Sequence, residues 1–163
     1  MKVGRITLSD RASARIYKDR SGPRIDHALR EIFGANVVIE PVMLPDDPAR
    51  ISETLRELAD QRHCDLIVTT GGTGIGPRDV TPEATRAVFD KELPGFGEIL
   101  RVKAFEKVPT TILSRATAGV RGRCLIVNLP GSPRAVRENL EVILPALSHA
   151  IEKIHGDPSE CAV

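Results

Sequence analysis

Asp65-Leu-Ile-Val-Thr-Thr70 runs directly into Gly71-Gly-Thr-Gly74, and Thr81-Pro82-Glu83 stands a short way downstream. The first stretch is apolar and β-branched, which suits a buried strand, and the glycines stop it. Thr81 has the chemistry of a helix cap and Pro82 that of a first helical residue. Strand, glycine loop and helix in this order form one unit of an α/β fold.

Upstream, Val3-Gly-Arg-Ile-Thr-Leu8 reads as a strand that ends in a polar loop, Ser9-Asp10-Arg11-Ala12-Ser13. Ile25, Leu29, Ile32 and Phe33 follow helical spacing, with Gly34 as the stop. Residues 37–44 form the next β-rich run, in which Pro41 cannot donate to a ladder and so marks an edge strand or a bulge. Ile51, Leu55, Leu58 and Ala59 share a helical face in a segment opened by Pro48.

Downstream, residues 94–107 hold a helix around Ile99–Ala104, and Cys124-Leu-Ile-Val-Asn128 is another buried strand. From Ser132, the residues Val136, Leu140, Ile143, Leu147, Ile151 and Ile154 repeat at steps of three and four until Gly156. This alternation predicts a parallel sheet covered by helices on both faces, with right-handed crossovers. A single domain over residues 1–156 and a flexible tail over 157–163 are expected.

The 163 residues include 23 basic and 22 acidic side chains, so no broad field favours nucleic acid or a membrane surface. Aromatic content is 3%, too little for base-stacking platforms. The cysteines Cys64, Cys124 and Cys161 have neither zinc-site nor disulfide spacing. Without a long apolar run or a signal-peptide core, the chain is expected to be soluble and cytoplasmic. His27, His63, His149 and His155 show no metal or triad spacing and read as structural or exposed.

In an open α/β sheet, ligands gather outside the carboxyl ends of the strands. Those ends carry Ser9-Asp10, Asp46-Asp47, Gly71 to Asp79, and Asn128 to Pro133. The glycine loop can form a nest of N–H groups for an anion. It is not a Walker A loop, because Pro77-Arg78 follows Gly76 instead of Lys-Ser or Lys-Thr. An ordinary tight turn is the alternative.

Asp46 and Asp79 on separate strand ends would suit Mg²⁺ beside substrate phosphates. Asp46 could equally be a helix cap, and Asp47 competes with it for either role. Arg78 either binds a phosphate or is solvated. Gly131 and Ser132 at the mouth of the last helix form a second candidate anion pocket, or a plain Ser cap. Ser114 and Arg115 could give a hydroxyl and a guanidinium to a phosphate, or belong to a surface loop.

Taken together, Thr70-Gly-Gly-Thr-Gly74, Pro77-Arg-Asp-Val-Thr-Pro-Glu-Ala84 and Glu92-Leu-Pro-Gly-Phe-Gly-Glu98 resemble the molybdopterin adenylyltransferase family. Ser9-Asp-Arg-Ala-Ser13, Leu113-Ser-Arg115 and Asn128-Leu-Pro-Gly131 extend the resemblance over residues 3–156. Residues 114–156 are also similar to the G domains of the plant molybdenum-insertion protein and of gephyrin. The GGTG segment alone occurs in related molybdenum-insertion domains and in some competence-associated proteins.

The resemblance implies a three-layer α/β/α sandwich with a mostly parallel central sheet, a homotrimer, and a molybdenum-insertion enzyme as partner. It implies that the phosphate of molybdopterin attacks the α-phosphorus of ATP, with Mg²⁺ assisting and pyrophosphate leaving. By motif, Asp46 and Asp79 become the catalytic, metal-holding pair. Substrate contacts fall to Ser9, Asp10, Thr70, Gly71, Gly72, Thr73, Gly74, Ser114, Arg115, Asn128, Pro130, Gly131 and Ser132. A molybdopterin-binding module without turnover is the runner-up, and an unrelated nucleotide-binding domain the third reading.

Overall fold

The computed structural model describes residues 1–159. Its strands are β1 (Lys2–Leu8), β2 (Val38–Leu44), β3 (Leu66–Thr70), β4 (Lys91–Glu92), β5 (Ala118–Arg121) and β6 (Cys124–Leu129). The helices are α1 (Asp10–Ser13), α2 (Gly22–Phe33), α3 (Pro48–Arg56), α4 (Thr81–Arg86), α5 (Pro94–Phe105) and α6 (Pro133–Ile154). A π-helical turn, Glu57–Gln61, extends α3, and a 3₁₀ segment, Pro109–Leu113, follows α5.

One sheet runs in the order β2-β1-β3-β6-β5-β4. Pairs β1–β2, β1–β3 and β3–β6 are parallel, while β4–β5 and β5–β6 are antiparallel. The sheet is thus mostly parallel, as the resemblance implied, with an antiparallel edge made by β5 and β4. Strands β4 and β5 were not predicted, because two and four residues give too short a pattern for periodicity to register. The expected loop at residues 9–13 contains one helical turn, capped where the Ser9 hydroxyl accepts from the Ala12 N–H at 3.2 Å. Pro41 stands on the outer strand β2 in unbroken register with Arg5, so it marks an edge and not a bulge.

The pleat sorts side chains into two helical layers. Leu66 and Val68 of β3 and Leu125, Val127 and Leu129 of β6 face α2, α5 and α6. Ile67 and Cys124 and Ile126 face α3 and α4 from the other side. This yields the α/β/α sandwich that the family resemblance implied. Cys64 and Cys124 are buried free thiols in the second layer, and burial pushes Cys64 up to about 11. Cys161 and the last part of the expected tail, residues 160–163, lie outside the described residues. Within the rest of that tail, the Lys153 ammonium donates to the Asp157 carbonyl at 3.2 Å.

One charge is built into the α2 layer. Arg5, at the middle of β1 and 8% exposed, donates to Asp26 through Nε at 3.0 Å and Nη2 at 3.2 Å. Its Nη1 donates to Thr7 Oγ1 at 3.2 Å and Asp19 Oδ2 at 3.3 Å. Asp19 in turn accepts from the N–H groups of Ser21 and Gly22, and the Ser21 hydroxyl donates to the Gly131 carbonyl at 2.7 Å. The start of α2 and the loop before α6 are therefore held by one ion-paired network. Removing its only cation leaves Asp19 half-buried and uncompensated. Arg5→Met should lower stability by about 2 kcal/mol, read as a lower urea midpoint with an unchanged slope. An unchanged midpoint would show that the network holds nothing.

Candidate functional site

Because β2, β1, β3 and β6 are parallel neighbours, their carboxyl ends open at one edge of the sheet. The chain leaves β1 for β2 on one side and returns to β3 on the other, so a topological switch point lies between β1 and β3. Gly71 sits at that point with φ of +105°, and a Cβ there would lie 2.2 Å from the Leu8 carbonyl oxygen. Only glycine fits both the left-handed backbone and the close approach.

On the α3–α4 side, Asp10 and Asp46 exchange bonds. The Asp10 N–H donates to Asp46 Oδ2 at 3.1 Å, and the Asp46 N–H donates to Asp10 Oδ1 at 3.0 Å. Arg78 grips Asp10 through Nε at 3.0 Å and Nη2 at 2.9 Å. Asp47 caps α3, accepting from the Arg50 N–H at 2.9 Å, and so leaves Asp46 free for the site. Asp46 Oδ1 is buried with no hydrogen-bond partner among the described residues, and it would lie 3.1 Å from a Cβ at Gly72.

Burial raises the pKa of Asp46, and the charges of Asp10 and Asp79 push the same way against the Asp10 N–H and Arg78. Asp10 is lowered instead, first by the Asp46 N–H it accepts and then by Arg78. Asp79 accepts from the Gly76 N–H at 2.8 Å, and its Oδ2 would sit 2.8 Å from a Cβ at Gly74. The two expected metal carboxylates thus flank the glycine loop, and the field of one reaches the other. Among the described residues no cluster of three or more metal-binding side chains exists. A pair of carboxylates with an orphaned oxygen suits an ion such as Mg²⁺, which fills its shell with water and phosphate oxygens.

The loop itself is held from both flanks. Thr81 donates its hydroxyl to the Gly71 carbonyl at 3.0 Å and its N–H to the Gly72 carbonyl at 3.1 Å. It is the first residue of α4 and makes no cap, contrary to its reading from sequence. Arg115 donates to the Gly74 carbonyl at 2.7 Å and the Asp79 carbonyl at 2.6 Å, and pairs with Glu83. Expected to meet a phosphate, its guanidinium instead ties the loop, Asp79 and α4 together.

Across the sheet, a cavity of about 430 Å³ opens between α5 and α6. Thr73, Gly74, Ser114, Pro130 and Ser132, all expected to meet substrate, are among the residues that line it. The Ser114 hydroxyl accepts the Ala116 N–H at 3.4 Å, and Ser132 caps α6. Thr70 and Gly131 support this wall from behind, for the Thr70 hydroxyl donates to the Pro130 carbonyl at 2.7 Å and the Gly131 carbonyl accepts from Ser21.

Two expected substrate residues bond to other parts of the protein. Asn128 is wholly buried, and its Nδ2 donates to Thr69 Oγ1 at 3.0 Å and Thr85 Oγ1 at 3.1 Å. It faces the α4 layer because the pleat turns every second residue of β6 that way, so its Nδ2 braces the strand end while its Oδ1 is buried without a partner among the described residues. Ser9 is likewise occupied as the cap of α1. Sequence reasoning missed Arg101, which lines the cavity and donates to the carbonyls of Ser114 at 3.3 Å and Ala116 at 3.1 Å. Nothing in its local sequence distinguishes it from the solvated arginines of other helices.

The native pKa of Asp46 exceeds its unfolded value, so folding is favoured by this group below the ordinary carboxylate range. That contribution is lost as pH rises through the raised native value. Asp46→Asn should therefore be more stable than the parent at neutral pH by about 1 kcal/mol, since a partly buried negative charge beside Asp10 and Asp79 is replaced by a neutral amide. The advantage should vanish in acid. Chemical denaturation of both proteins across this range measures it, and a less stable Asp46→Asn protein at neutral pH would refute the cost of that charge.

Comparison with known proteins agrees with this geometry. Residues 4–149 match the family described as "Probable molybdopterin binding domain". The chain is 44% identical over 155 residues to the molybdopterin adenylyltransferase of Helicobacter pylori J99, covering 95% of this chain and 88% of that one. It is 42% identical over 156 residues to the Escherichia coli K12 protein of the same name, covering 96% and 79%. The molybdopterin biosynthesis enzyme MoaB of Thermus thermophilus superposes with a TM-score of 0.86 at 43% identity, covering 98% of this chain and 99% of the other. On its fold, its strand-end site and these likenesses, the chain belongs to the molybdopterin-binding domain family that includes the molybdopterin adenylyltransferases.

Proposed function

We propose that this protein is a molybdopterin adenylyltransferase, which moves AMP from ATP to the phosphate of molybdopterin. The observation that carries the reading is the orphaned Asp46 oxygen beside a glycine loop whose far side opens into the α5–α6 cavity. A phosphate oxygen of molybdopterin forms the new bond to the α-phosphorus. The bond from that phosphorus to the oxygen bridging to the β-phosphate breaks, and pyrophosphate leaves. The substrate is its own nucleophile, so the protein's work is positioning and charge neutralisation.

Asp46 and Asp79 would hold Mg²⁺, which supplies positive charge to the crowded phosphates. The loop N–H groups between Gly71 and Gly74 orient anionic oxygens, and Arg115 fixes the loop on which they sit. Thr73, Gly74, Ser114 and the Pro130–Ser132 turn seat the pterin phosphate at the α6 N-terminus, where the helix dipole favours negative charge. Arg78, already paired with Asp10, lies beside the acid pair as a further positive charge.

The protein acts as a homotrimer in the cytoplasm and passes molybdopterin-AMP to a molybdenum-insertion enzyme. Exposed Val102 and Phe105 of α5, Val108 just before the 3₁₀ segment, and Ile112 and Leu113 within it support self-association. No helix among the described residues is long and apolar enough to cross a membrane.

Incubation with molybdopterin, ATP and Mg²⁺ should yield molybdopterin-AMP on chromatography, and omission of Mg²⁺ should abolish it. Asp79→Ala should lower kcat by at least about 100-fold with an unaltered thermal melt, since it removes a site charge and no core atom. Full turnover by that variant contradicts the assignment. Pterin binding by the parent protein without product favours the non-catalytic binding module.

A further inference from the structure

Ser132, Ala135 and Asn139 stand at i, i+3 and i+7 on α6, and all of them line the α5–α6 cavity. They share one helical face, and Asn139 lies about 10 Å along the axis from Ser132. Leu100 and Ala104 of α5 form the opposite wall, with Ala116 between the helices. Asn139 is 6% exposed, yet its amide makes no hydrogen bond among the described residues. The other deeply buried amide among the described residues, Asn128, uses its Nδ2 in two bonds and lies outside this cavity, although its Oδ1 has no partner. An amide on an otherwise buried side chain that lines a cavity and has no protein partner is a candidate for pairing with a ligand.

A carboxamide sets an acceptor beside a donor, and its complement is a lactam edge, in which a ring N–H adjoins a carbonyl. The pyrimidinone ring of a pterin carries that edge, and its flat faces suit the apolar walls. The anion-favouring end of α6 and the Asn139 amide are separated on the scale of a tricyclic pterin with its phosphate arm. Adenine presents a similar donor–acceptor pair, but the ATP phosphates are assigned to the acid pair on the opposite, α3–α4 side of the sheet.

We infer that Asn139 is the specificity residue that reads the lactam edge of the pterin ring while the α6 N-terminus receives its phosphate. This rests on the reading of molybdopterin as substrate. An unpaired polar group facing a substrate that lacks its complement discriminates strongly, so the amide also rejects rings without that edge.

The test compares the parent protein with Asn139→Leu, an apolar near-isostere. Molybdopterin binding is read by pterin fluorescence, ATP binding by calorimetry, and AMP transfer by chromatography. Molybdopterin affinity should fall roughly tenfold, with ATP affinity unchanged, and the Tm should hold because the amide has no protein hydrogen bond to lose. A lower Tm with both affinities reduced would mean that the amide is structural, and would overturn the inference. So would unchanged molybdopterin affinity, or a loss confined to ATP. Asn139-dependent pterin binding in a parent protein that transfers no AMP would uphold the subsite and overturn the transferase reading.

Discussion

Everything in the site depends on how closely β3 passes β1 at the switch point. Gly71 comes so near the Leu8 carbonyl that a side chain would displace main chain. That contact brings the glycine loop over the ends of β1 and β2, and so beside Asp46. Gly72, at φ of +62°, repeats the constraint, since a Cβ there would meet Thr81 Oγ1 at 2.3 Å as well as the Asp46 carboxylate. The loop is therefore shaped by what it must avoid before it is shaped by any hydrogen bond it makes.

Once placed, the loop divides the strand ends into two chemistries. Toward α3 and α4 lie carboxylates, one of them with an oxygen that burial has stripped of partners. Toward α5 and α6 lies an apolar-walled cavity entered at a helix N-terminus. Arg115 spans this division, because it starts beside Ser114 at the cavity wall and ends on the Gly74 and Asp79 carbonyls. A reaction joining a phosphate from one side to a nucleotide on the other needs such a shared partition, and needs no nucleophile of the protein's own.

Much of this was legible from residue order. The long apolar runs fixed β1, β3, β6 and α6, and Pro41 placed β2 at the edge by its missing donor. Strands β4 and β5 escaped because their pairing partners, and not their own composition, make them strands. Among site residues, Asp46 and Asp47 were inseparable by spacing. The choice belongs to backbone geometry, in which Asp47 turns back to the Arg50 N–H and Asp46 reaches across to Asp10. Asn128 takes the α4 face of the pleat, which adjacency to a motif does not specify. Thr81 misled, since the tertiary partner Gly71 outcompeted the local cap.

Adenylyl transfer differs from terminal phosphoryl transfer in which phosphorus of ATP reaches the pterin. ATP labelled separately at the α- and γ-phosphorus, supplied with molybdopterin and Mg²⁺, decides between them most directly. The account predicts α-label on the pterin phosphate and γ-label wholly in pyrophosphate. Recovery of γ-label on the pterin, or of α-label only in free nucleotide, would contradict it.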